Sequence, residues 1–354
     1  MTLLRGLALA GLLFGAEIAA AQAGGWNAVA FMYHRFGEDD YPATSISMDA
    51  FEKQLDYLEE EGYTIWPFER IVEHLDNGES VPDRTVAITI DDAYRSVYEE
   101  AYPVLKERDV PYIVFVATEP VDNGLSGYMT WEQMREMEEH GATFANHSTT
   151  HDYLVRRGED ESDAEYTQRI REDIKQAQER LEEELGEHND IPMLFAYPYG
   201  EYNQTVADIT EELGYIGVGQ HSGAIGPHSH KLALPRFPMA DAYFDFDDFR
   251  QKAGAKALPV IELEPWDPVA TTDNNPPRMR ATLAESEARL NQLACFVGRQ
   301  GSVDIDWVDR DARIFEVEPP ETLRTGRTRY NCTAPSPEQG RFYWFSQQWI
   351  VLPQ

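Results

Sequence analysis

Thr89-Ile90-Asp91-Asp92 and His147-Ser148-Thr149-Thr150-His151 carry the residue types from which a catalytic metal site with its own base is built. The first run supplies two adjacent carboxylates. The second supplies two imidazoles at i and i+4, a spacing at which one helical turn or a tight loop aims both at one point. Two histidines and one carboxylate leave metal positions open for water and substrate, which marks a catalytic rather than a structural site. The same ligands suit non-haem iron. Zinc is favoured because hydrolysis needs a Lewis acid and no redox change. Taken singly, each run has a plainer reading: Asp91 or Asp92 as the cap of a helix beginning near Ala93, and His147 and His151 as ordinary surface or core histidines. A third run, Tyr197-Pro198-Tyr199-Gly200, follows in order and strengthens the combination.

These runs need strand ends to stand on. Val86-Ala87-Ile88-Thr89-Ile90 is a β-branched, apolar stretch behind a Pro82-Asp83-Arg84 turn, and reads as a strand buried on both faces. Asp91 and Asp92 then fall at its C-terminal end, where α/β folds gather their chemistry. Gly141 to Asn146 reads as another short strand with His147 just past it. Ala28 to Tyr33 reads as a first strand ending at His34, which either supports the site or its ligand, or makes a structural hydrogen bond. Between the strands, helical periodicity runs over Met48 to Glu61, Phe68 to Asn77, Trp131 to His140, Asp163 to Leu185 and Asn203 to Leu213. Further strands are expected over Pro111 to Ala117 and Leu194 to Tyr197. This βα alternation predicts a parallel sheet or barrel.

The motifs resemble those of the polysaccharide deacetylases of carbohydrate esterase family 4, with the NodB-type catalytic domain. Thr89-Ile90-Asp91-Asp92 matches the family's Thr-Phe-Asp-Asp motif, and His147 to His151 its His-Ser/Thr-x-x-His motif. Ala196-Tyr197-Pro198-Tyr199-Gly200 matches the Arg-x-Pro-Tyr type in part. Met32-Tyr33-His34-Arg35-Phe36 resembles the Tyr-His start of the branch acting on poly-N-acetylglucosamine. The resemblance covers Trp26 to Pro265. It implies an α/β fold, a distorted (β/α) barrel of about seven strands. It also implies roles: Asp91 as general base, Asp92, His147 and His151 as ligands of a divalent metal, and the backbone N–H of Tyr199 as donor to the oxyanion. Such a donor is worth roughly 3 to 4 kcal/mol of barrier. The implied activity is hydrolytic removal of N-acetyl groups from an amino-sugar polysaccharide, an exopolysaccharide such as poly-N-acetylglucosamine. Peptidoglycan, chitin oligomers or acetylated xylan are the alternative substrates, and a catalytically weak polysaccharide-binding protein is the alternative of another class.

The chain departs from the family at two points. Ala196 replaces the arginine that orients the base, and Arg236 in Leu234-Pro235-Arg236-Phe237-Pro238 is either its substitute beside Asp91 or a surface ion-pair partner. The family's late histidine, the general acid, is missing from Leu258-Pro259-Val260-Ile261-Glu262-Leu263. His221, His228 and His230 remain as candidates.

Composition sets the context. Met1 to Ala23, with Arg5, an apolar run Leu7 to Phe14 and small-x-small sites at Ala19-Ala20-Ala21 and Ala21-Gln22-Ala23, reads as a secretory signal peptide. An exported chain, periplasmic or extracellular, is therefore expected. The two cysteines, Cys295 and Cys332, are expected to pair there. With 30 basic and 63 acidic residues the net charge is −33, which argues against nucleic acid or anionic membrane as partners. The charge suits either solubility in salt or attraction to a cationic, deacetylated polymer. The catalytic domain is expected over residues 24–268, a Pro- and Asn-rich linker over 269–281, and a small β-sandwich-like domain over 282–354. Trp307, Tyr343, Trp344, Phe345 and Trp349 of that region form either a sugar-stacking platform or a small core.

Overall fold

The computed structural model describes residues 25–186, 190–243 and 245–353; the expected signal peptide lies outside them. The first part is a wholly parallel sheet. Its strands are β1 (Ala28–Tyr33), β2 (Thr85–Asp91), β3 (Tyr112–Val116), β4 (Ala142–Asn146), β5 (Leu194–Ala196), β6 (Ile216–Val218) and β7 (Phe237–Pro238). Their order is β7-β1-β2-β3-β4-β5-β6, with the short strand Thr64–Ile65 beside β2. The two outer strands approach through a single bridge between Val218 and Leu234. This is the distorted (β/α) barrel, an incomplete ring of seven strands with helices outside.

The period-2 alternation of the strands divides the interior in two. Val86, Ile88 and Ile90 of β2, with Val29, Phe31 and Tyr33 of β1, pack outward under the helices. Ala87, with Ala28, Ala30, Ala145 and Ala196, faces the other cluster, which the helix Phe68–Asn77 joins through Phe68, Ile71, Val72 and Leu75. Every residue of β2 is buried, as its continuous apolar run requires. Alternation places Thr89 and Asp91 on the same face as Ala87, so the carboxylate looks inward from the strand end. No helix begins at Ala93. Asp92 and Ala93 both have positive φ (76° and 56°), and the chain turns there before the helical segment Val97–Ala101.

The C-terminal part is two packed sheets. One holds β8 (Lys256–Ala257), β10 (Val269–Ala270), β12 (Ala294–Val297), β13 (Gly301–Val303), β16 (Gly326–Pro335) and β17 (Phe342–Val351). The other holds β9 (Val260–Glu264), β11 (Met279–Leu283), β14 (Ile305–Asp309) and β15 (Ile314–Val317). A common core joins them: Met279, Ala281, Leu283, Phe315 and Val317 from one, Val297, Tyr330, Ala334 and Trp349 from the other. The β-rich region thus begins before the sequence boundary. β8 and β10 both pair with β17, and the stretch expected as linker contains β10 and most of β11. Turn-forming Pro and Asn residues masked the in-out pattern of Met279–Leu283. Leu258 to Leu263 likewise lies in this sandwich and not in the barrel. Trp349 is fully buried and Trp344 packs edge-on against Phe237 of the barrel, so these two aromatics serve packing.

Cys295 and Cys332 face each other across β12 and β16 and form a disulfide. Reducing it releases a loop with a sequence separation of 37. Chain entropy predicts a loss of about 4 kcal/mol, to be read as a lower urea midpoint for the full chain with reductant present.

Candidate active site

Asp91 is fully buried, and so is Arg236. Arg236 Nη1 donates to Asp91 Oδ1 at 2.7 Å and Nη2 to Oδ2 at 2.9 Å. The guanidinium is itself held, with Nε on the carbonyl of Gly219 at 3.0 Å and Nη1 on Thr89 Oγ1 at 3.1 Å. This is a planar fork matched to a carboxylate. Burial pushes the Asp91 carboxyl up, but the Arg236 charge and its hydrogen bonds, with nearby imidazoles, bring it below the ordinary value. Arg236 is therefore no surface ion-pair partner. Gln220 Nε2 adds a contact to Asp91 Oδ2 at 3.4 Å.

One residue on, the left-handed turn swings Asp92 out of the strand line toward the end of β4. There the chain folds His147 and His151 back over it. His147 N–H donates to the carbonyl of Val116, and Ser148 and His151 both take positive φ (72° and 58°). A loop, not a helical turn, makes the His-x-x-x-His geometry. Asn146 Oδ1 accepts from Ser148 N–H and Ser148 Oγ from His151 N–H. Asp173, a buried acid of the long helix Asp163–Leu185, accepts from Thr150 N–H at 3.0 Å.

His147 Nδ1 lies 2.6 Å from the carbonyl of Ala196, which makes Nδ1 the donor and turns Nε2 into the site as a lone pair. One ligand atom from each of Asp92, His147 and His151 lies within 4.8 Å of the others. Asp92 Oδ1 is 3.3 Å from His147 Nε2 and 3.0 Å from His151 Nε2. Even so, Asp92 Oδ1 and His147 Nε2 are both buried and lack an aligned hydrogen bond. Electron-pair donors brought face to face without a shared, well-aligned proton are what a cation satisfies. The three side chains thus fit a divalent metal.

Tyr199 stands at the rim. Its φ is 59° and its ring packs on His151, with centroids 4.6 Å apart, while Tyr153 stacks on its other side at 3.8 Å. Its backbone therefore turns beside the two imidazoles. His34 closes the opposite side: its Nε2 is 3.9 Å from Asp91 Oδ2. Burial lowers its imidazole from the usual value despite the two aspartates.

The three loop histidines are elsewhere. His221 is buried behind the site, where burial and then the Arg329 and Arg236 charges push it down to about 3. His221, His228 and His230 all line a separate cleft with Trp26, Trp266 and Trp344. His34 is the imidazole that reaches Asp91 from the end of the first strand, and its sequence signal is a single residue.

Residues 78–218 match the family model for polysaccharide deacetylase. A putative polysaccharide deacetylase of Bacillus subtilis, YxkH, is 28% identical over 207 residues, 58% of this chain and 68% of that one. The poly-beta-1,6-N-acetyl-D-glucosamine N-deacetylase of Escherichia coli K12 is 27% identical over 250 residues, 60% of this chain but only 36% of its own length. Among solved structures, IcaB from Ammonifex degensii superposes with a TM-score of 0.55 at 27% identity, covering 65% of this chain and 97% of that one.

Proposed function

We propose that this chain, whose residues 78–218 match the polysaccharide deacetylase model, is a NodB-type, metal-dependent N-deacetylase of an acetylated amino-sugar exopolysaccharide of the poly-N-acetylglucosamine type. The observation that carries the reading is the convergence of Asp92, His147 and His151 within 4.8 Å, next to an Asp91 clamped by Arg236. The names of the relatives from Escherichia coli and Staphylococcus aureus support the substrate class. Export to the periplasm or cell exterior, where such a polymer is met, accompanies the proposal. Among the described residues no helix is long and apolar enough to cross a membrane.

A divalent cation on Asp92, His147 and His151, zinc being favoured, would supply the Lewis acidity that polarises the acetyl carbonyl and brings water within reach of a carboxylate base. The side chains do the rest. Asp91 accepts a proton from the attacking water, and Arg236 keeps it ionised and pointed into the cleft. The Tyr199 N–H donates to the carbonyl oxygen as that oxygen gains charge. The proton that Asp91 takes up is delivered to the nitrogen as the C–N bond breaks, so that acetate and a free amine leave; His34, whose Nε2 is 3.9 Å from Asp91 Oδ2, lies beside that transfer.

The test is acetate release by the full chain from acetylated glucosamine oligomers, with peptidoglycan fragments, chitin oligomers and acetylated xylan alongside. Stripping the metal should abolish release and restoring it should recover release. Restored metal should also raise the melting temperature, since a ligand at about 100 times its Kd adds about 2.7 kcal/mol. Polymer retention without acetate from any substrate would replace the enzyme with a binding protein.

A further inference from the structure

We propose that the C-terminal β-sandwich is a working part of the catalytic cleft, with Arg327, Arg329 and Gln348 as positioning residues for the Tyr199–Gly200 turn and for Gln220. The proposal rests on the deacetylase reading above and extends it to a region beyond the matched residues 78–218.

The sheet explains why these three side chains act together. Arg327 and Arg329 are two apart on β16, so both leave the same face. Gln348 of β17 is the direct cross-strand partner of Arg329. The neighbouring Tyr330 and Trp349 turn the other way, into the sandwich core. The face that carries Arg327, Arg329 and Gln348 is laid against the barrel.

What they hold there is a turn closed by Gly200 N–H on the Tyr197 carbonyl and Glu201 N–H on the Pro198 carbonyl, whose own Tyr199 and Gly200 carbonyls point away from it. Tyr199 and Gly200 are consecutive left-handed residues, with φ 59° and 67°. For a tyrosine that conformation is unfavourable by roughly 1–2 kcal/mol, so its surroundings must impose it. Both carbonyls are tied to the sandwich. Tyr199 O accepts from Arg327 Nη1, and Gly200 O accepts from Gln348 Nε2.

The same arginines orient Gln220. Arg329 Nη2 donates to its backbone carbonyl at 2.8 Å, and Arg327 Nη1 to its Oε1 at 3.2 Å. With Oε1 committed to a cation, the amide nitrogen faces Asp91 Oδ2. Gln220 is also packed under the turn: a Cβ added to Gly200 would meet Gln220 Cβ at 2.5 Å. Turn, glutamine and base therefore form one linked unit, and its outer anchors sit on β16 and β17. A sandwich serving only to hold polymer elsewhere would not need these contacts.

The experiment uses the full, metal-loaded chain with Arg327→Met, Arg329→Met, Gln348→Leu and the conservative Arg327→Lys. The Met variants should lose about 10–100-fold in kcat, with KM within about threefold of wild type. Metal content should be unchanged for Arg327→Met, and amide exchange at Tyr199 to Tyr202 should quicken. Arg327→Lys should recover part of kcat, since one donor can still reach the Tyr199 carbonyl. Arg327 and Gln348 decide the matter if Arg329→Met does not fold. Folded, metal-loaded variants with wild-type kcat, or with a raised KM alone, overturn the proposal while leaving the deacetylase reading intact. A wild type that releases no acetate overturns both.

Discussion

Asp91→Asn is expected to lower kcat by about 10²–10⁴-fold while the chain still binds one equivalent of metal. The isostere keeps the volume of a fully buried side chain and one acceptor for Arg236, but it cannot take a proton from water. The side chains that would hold the metal are Asp92, His147 and His151, so metal content should not change. The measurement pairs single-turnover acetate release with metal analysis of the same sample. A variant that keeps a tenth of wild-type kcat at full metal content would remove Asp91 from the role of base. Substituting a ligand instead, as in His147→Ala, should lose metal and activity together, which separates the two functions of the adjacent carboxylates.

Arg236→Met is expected to cost about 3–5 kcal/mol of stability and most of the activity. The guanidinium is wholly enclosed and makes four hydrogen bonds, two of them to Asp91. Removing it leaves a buried carboxylate facing a thioether, and an uncompensated buried charge is far more costly than an absent pair. Asp91→Asn combined with Arg236→Met should therefore be more stable than Arg236→Met alone, a coupling that a double-mutant cycle reads in urea melts. The pH dependence has a definite sign. Burial raises the Asp91 carboxyl and Arg236 more than offsets it, so the folded value lies below the unfolded one. The pair's contribution is then present above the unfolded carboxylate range and lost as pH falls through the folded value. Without Arg236 the carboxyl rises, so the acid limb of the pH–rate profile should move to higher pH. Equal stability of the single and double variants would mean that the Asp91 charge is solvated by some other group.

The histidines around the base show how far residue type alone carries. His221, His228 and His230 attract notice as a cluster in a glycine-containing loop. Yet all three line a different cleft, whose lining includes none of Asp91, Asp92, His147 and His151. His34 is isolated in sequence and reaches the carboxylates because β1 lies directly beside β2, Met32 opposite Thr89 and Tyr33 opposite Ile90. The next residue of β1's chain therefore emerges level with Asp91. Parallel pairing, and not sequence proximity, makes that neighbour.

What the sequence determined by itself was whatever is written in short-range pattern. Continuous β-branched runs specify strands buried on two faces, and capped amphipathic stretches such as Asp163–Leu185, with its Ser162 and Glu165 capping box, specify their helices. Together these dictate a parallel α/β sheet with its polar motifs at the strand ends. What only the tertiary structure decided were relations between residues far apart in the chain. Arg236 meets Asp91 because β7 closes beside β1. The His147–His151 loop is shaped by left-handed residues and by Asp173 from a distant helix. The sandwich reaches the Tyr199 turn through Arg327 and Gln348, and Gln220 through Arg327 and Arg329. Such contacts depend on which surfaces the fold presses together, and a one-dimensional pattern of apolar and polar residues records only that a surface exists, not what it will face.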